Sequence, residues 1–177
     1  MYRFRFSHFA VCLASVACGL TLGRVVYAFW GGGSLLPRTD GAFLSLFMNS
    51  FYSVLLPMIL MGTLSVTVYC IPVALGLLFY RSSVDAYAVF CALDLFRGAS
   101  ANVVFLLYTV AVHVFYTYCF YLLALRCVHY RSEAASAPCN ANTLLRKGSV
   151  SFFGDYTSVC GVVTLCGLFD FSILYFM

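Results

Sequence analysis

Charge is what this chain lacks most. Asp, Glu, Lys and Arg make up 9% of its residues, against about 25% in an ordinary soluble domain. They are missing altogether from residues 41–80 and again from 98–125. Each run is long enough for a bilayer crossing, which takes about 20 apolar residues. A water-soluble fold of this size is thereby excluded, and with 63% hydrophobic residues there is no room for a soluble catalytic domain.

Motifs are scarce as well. There is no HExxH, no GxSxG, no phosphate-binding loop and no paired-carboxylate motif with a plausible base, which argues against an enzyme. The single lysine, Lys147, lies in a polar stretch. The run Gly31-Gly32-Gly33 opens no strand–helix unit and reads as a turn. None of the nine cysteines stands in a CxxC or Cys…His spacing, so neither a metal nor a cofactor is expected. Most cysteines fall in apolar stretches as small buried hydrophobes. Cys127 and Cys139 fall in a polar one, where free thiols, or a palmitoyl group on Cys127, are conceivable. The net charge of +4 marks membrane sidedness rather than a nucleic-acid partner.

What is present is an all-α, polytopic pattern, a single transmembrane helical domain over 1–177. Spans are expected near 8–30, 55–80, 84–96, 102–125 and 154–175. Phe43, Leu44, Phe47, Phe51 and Leu55 recur at helical spacing with Ser45, Asn49 and Ser53 between them, predicting an amphipathic interfacial helix over 41–53. Pro72 is expected to bend the second span from its interior, with Arg81 closing it. Asn102 opens the fourth. Residues 126–151 read as a cytoplasmic loop. With five crossings and the N-terminus inside, Arg3, Arg5, Arg81, Arg126, Arg131, Arg146 and Lys147 share the inner side, as the positive-inside tendency requires. The C-terminus is then outside.

Few residues stand out as sites. Arg24, Asp85, Asp94 and Asp170 are charges within apolar segments, each costing about 2.5–3.5 kcal/mol at a helix centre. Asp85 is read near the cytoplasmic edge. Asp94 and Arg97 can face each other at i, i+3. A structural Arg24–Asp170 pair would lock the first helix to the last. A proton or ion path is the sharper alternative, with His113 as the one mid-depth relay in view. Ser15, Gly19 and Gly23 form a small-xxx-small ridge, suited to packing against the chain's own helices or against a partner.

The order of segments resembles the stage II sporulation protein M family. The resemblance rests on the Gly19/Gly23 ridge and on a long span running from Met61-Gly62-Thr63 through Ile71-Pro72-Val73 to Phe79-Tyr80-Arg81. It also rests on a span opening near Asn102 and on Phe169-Asp170-Phe171 in the last segment. It implies a non-enzymatic scaffold of the bacterial cell membrane that anchors peptidoglycan-degrading partners during engulfment, with residues 31–53 and the membrane face of the first helix as contact surfaces. The alternative is a small membrane transporter or permease subunit, built on helices broken at Pro57 and Pro72. The expected partners are the bilayer and a cell-wall hydrolase or other membrane proteins, with no nucleic acid. The oligomeric state is left open.

Overall fold

The computed structural model describes residues 6–30, 52, 55–63, 69–98, 103–136, 154, 156–158 and 161–162. Among these all regular structure is helical. Three long helices dominate: α1 (Phe6–Trp30), α2 (Cys70–Gly98) and α3 (Val103–Ser136). Each contains a stretch long and apolar enough to cross a membrane, namely Ser7–Trp30, Cys70–Asp94 and Leu106–Ser132.

The pairing of side chains sets the helix directions. Ser15 meets Leu75, Gly19 meets Phe79 and Ser82, Gly23 meets Ser83 and Ala86, and Tyr27 stacks on Phe90. Both numbers rise together, so α1 and α2 run parallel. Between α2 and α3 the numbers oppose: Cys70 meets Cys127, while Asp85 meets His113 and Thr117. Those helices are antiparallel, as expected of neighbours joined by a short connection. α2 is the central element and packs on both others.

The bundle has an apolar core that encloses a few polar groups, and its outer surface is apolar as well. Its outward faces carry Phe9, Leu13, Leu22, Val25, Leu107 and Tyr118, far more exposed apolar side chain than a soluble surface carries. Arg81, Ser82 and Asp85 are buried beside Leu78, Tyr116, Phe120 and Leu123. A short helical stretch, residues 55–63, adds Met58 and Met61 to the same core. The thiol of Cys127 lies 3.9 Å from the Met61 carbonyl and that of Cys70 lies 3.6 Å from the Cys127 carbonyl, which joins this stretch to one end of α2 and α3.

Three expectations need correction. The spans expected at 55–80 and 84–96 are not divided at Arg81, because α2 runs unbroken from Cys70 to Gly98. Arg81 is only 4% exposed; its charge is answered inside the bundle, so it marks no membrane edge. Pro72 does not bend a helix interior. The first i→i−4 bond of α2 runs from the Val73 N–H to the Tyr69 carbonyl, which puts Pro72 in the first turn, where its missing N–H costs nothing. The loop expected at 126–151 begins too early, since α3 continues to Ser136. Cys127 is accordingly fully buried in that helix and closed to acylation. Asn102, Asp170, nearly all of the 41–53 helix and most of the 154–175 span lie outside the described residues.

Candidate functional site

Two i, i+4 pairs build the site. Arg81 and Asp85 lie one turn apart on α2, and His113 and Thr117 one turn apart on α3. This spacing puts each pair on one helical face, and the antiparallel packing brings the faces together. Asp85 is the hub. Its Oδ1 lies 2.7 Å from an Arg81 terminal nitrogen and 2.8 Å from His113 Nδ1. Its Oδ2 accepts from Arg81 Nε at 3.2 Å and from the Thr117 hydroxyl at 2.8 Å.

Arg81 thus grips the carboxylate side-on through two nitrogens, the geometry that makes Arg–carboxylate pairs strong. The guanidinium also lies 5.0 Å from the centre of the Tyr116 ring and 5.8 Å from that of Phe120. A cation over an aromatic face gains more where water is excluded. The side chains of Arg81 and Asp85 are 5% and 3% exposed, whereas that of His113 is 18% exposed. The cluster is therefore buried on its Arg81 side and more open on the His113 side.

A cleft of about 540 Å³ lies there, between α1, α2 and α3. That volume is in the ordinary range for small-molecule sites. Asp85, His113 and Thr117 reach its wall from α2 and α3, and Arg24 and Thr21 from α1. The Thr21 hydroxyl is turned back onto the Cys18 carbonyl. Arg24 is exposed and has no ion-pair partner among the described residues. The rest of the wall is apolar.

A neighbouring face of α2, which shares Ala86 with the cleft wall, is built for close approach. A Cβ on Gly19 would lie 2.5 Å from the Phe79 carbonyl oxygen and would collide with the Ser82 hydroxyl. A Cβ on Gly23 would lie 2.8 Å from that of Ala86 and would strike the Ser83 carbonyl. Ser82 and Ser83 suit this seam because their hydroxyls bond back to Leu78 and Phe79 of their own helix. Ser15 donates across it to the Leu75 carbonyl at 2.8 Å.

The site residues read from the sequence do not come together in one place. Ser15, Gly19 and Gly23 lie together on the α1–α2 seam. Arg24 lines the cleft, and Asp94 is exposed on α2 with Arg97 one turn beyond it in the same helix. Pro72 is exposed at the start of α2, away from the cluster. The Arg24–Asp170 pair lies outside the described residues. Arg81 and Thr117 are the members that sequence reasoning missed. Asp85 and His113 were singled out, but as an edge charge and a lone mid-depth relay rather than as partners. The doubled i, i+4 spacing of polar groups in apolar helices was the available signal. Among the described residues no three His, Cys, Asp or Glu side chains come together as a metal site.

No protein-family model matches the chain, and neither a curated protein nor a solved structure matches it.

Proposed function

We propose that this chain is a multi-pass integral membrane protein with five crossings that works as a non-enzymatic scaffold. The parallel course of α1 and α2 carries the reading. Two spans pointing the same way need an odd number of crossings between them. The connecting residues 31–69 include an uncharged, apolar run from 41 onward, long enough for one. α3 then makes a fourth crossing and residues 152–177 a fifth. This partition differs from a division at Arg81 but keeps the N-terminus inside and the C-terminus outside. It leaves Arg3, Arg5, Arg126, Arg131, Arg146 and Lys147 on the inner side and Arg38 and Arg97 toward the outer one, in keeping with the positive-inside tendency.

The scaffold reading is supported by how the charges are used. Arg81 and Asp85 are spent on each other under Tyr116 and Phe120, and the bonds of Asp85 to His113 and Thr117 tie α2 to α3. What remains of the resemblance to the stage II sporulation protein M family, the Gly19/Gly23 ridge and a span opening near Asn102 without the span ending at Arg81, suggests peptidoglycan-degrading enzymes as the proteins held, in a bacterial cell membrane, with residues 31–53 as the contact surface. Reporter fusions test the topology: one within 137–151 is expected to be cytoplasmic and one within 31–40 external, and the reverse result at either point defeats it. Photo-crosslinking from 31–53 tests the role, with a cell-wall hydrolase as the expected adduct.

A second reading, a small transporter or permease subunit, is favoured by one observation: the cleft reaches Asp85 and His113 near the middle of the bundle. Solute or proton flux in proteoliposomes that Asp85→Asn abolishes would put transport ahead of scaffolding.

A further inference from the structure

We propose that the cleft between α1, α2 and α3 binds an amphipathic monocarboxylate, with its carboxylate on Arg24 and its apolar body directed toward Phe90 and Val110. The site stands on the geometry of the bundle and holds whether the protein scaffolds or transports.

Counting charges gives the head group. The Arg81–Asp85 pair is neutral as a unit, and Asp85 already accepts from Arg81, His113 and Thr117. Arg24 is the one charge on the wall with no such partner among the described residues. A monoanion balances it. A dianion would leave a negative charge uncompensated against apolar walls, where that is costly. The planar fork of a guanidinium fits a carboxylate through two parallel hydrogen bonds.

The direction of the cleft distinguishes this ligand from a bilayer phospholipid, whose phosphodiester is also a monoanion. Tyr27, three residues from the end of α1 at Trp30, stacks on Phe90 with 5.5 Å between ring centres. Phe90 therefore marks the Trp30 end of the bundle. Arg24, Asp85 and Thr117 lie further in, and toward the Trp30 end the wall is Val89, Phe90 and Val110. The polar end is the deep one. A phospholipid presents its phosphate at the membrane surface and its chains inward, the opposite order.

The test is equilibrium binding of radiolabelled octanoate to the full chain in zwitterionic-lipid nanodiscs. Saturable binding is expected. Octanol, which lacks the charge, and acetate, which lacks the chain, are each expected to compete at least about tenfold more weakly, as loss of a charge-assisted hydrogen bond or of apolar burial implies. Arg24→Gln is expected to weaken octanoate by a similar factor and Arg24→Lys by less. Val114→Phe, which adds bulk at the rim of the cleft and leaves the charge in place, is expected to abolish binding. Competition by octanol equal to that by octanoate would overturn the assignment. So would unchanged binding in Val114→Phe, or displacement of octanoate by phosphatidylglycerol added to the nanodisc. Should Arg24→Gln fail to fold, the competition series and Val114→Phe still decide.

Discussion

α2 joins its two neighbours by opposite means. Toward α1 it offers small residues, and the helices meet almost backbone to backbone, with Gly19 and Gly23 over Ser82, Ser83 and Ala86. Toward α3 it offers Arg81 and Asp85, which meet the Tyr116 and Phe120 rings and hydrogen-bond to His113 and Thr117. Apolar surface gives helices little reason to associate in lipid. Close packing and interhelical hydrogen bonds are the two remaining forces, and here each has its own face. The seam tolerates no added bulk; the polar face tolerates no unpaired group.

Substitutions can break that contrast in order of effect. Arg81→Leu or Asp85→Leu strands one charge in the core, and unfolding in micelles is expected to show a loss of about 3–5 kcal/mol. The double variant Arg81→Leu/Asp85→Leu is expected to lose less than either single one, because no charge is left unmatched; a strictly additive loss would mean the two do not act as a pair. Gly23→Leu should cost about 1–3 kcal/mol or more through overpacking. The same change at Gly76, where an added Cβ meets nothing within 4 Å, should leave the melting curve nearly unmoved. Equal effects at the two glycines would remove the distinction between seam and outer surface. Thr117→Val removes one donor to a carboxylate that keeps its others and should cost about 1 kcal/mol. Ser15→Ala, at about 0.6 kcal/mol, is the smallest change, and would show that shape rather than hydrogen bonding holds the seam.

The sequence made α1 plain, since a mainly apolar run interrupted by Arg24 ends at Trp30 against three glycines. α2 was obscured by Arg81. A charge after an apolar run ordinarily marks a membrane edge, although Asp85 at i+4 was the visible sign of a counter-ion one turn further on. Pro72 misled for a similar reason. Whether a proline bends or begins a helix depends on where the first hydrogen bond forms, here at Tyr69, and not on the apolar run around it. The ridge at Ser15, Gly19 and Gly23 was visible as a pattern, but the helix it meets was not. Only the fold shows that Ser82 and Ser83 receive it. The cluster needed two helices to be set side by side, which spacing along a single chain hints at without fixing the partner.

The Arg81–Asp85 contact is made within one helix. A chain synthesised from its N-terminus completes both residues before His113 exists, so α2 carries its own counter-charge from the moment it coils. On entering lipid it would present a closed dipole rather than a bare ion awaiting rescue, and the arrival of α3 would refine that pair instead of creating it. Insertion of α2 alone is then the step at which the two residues matter first, ahead of any assembled state.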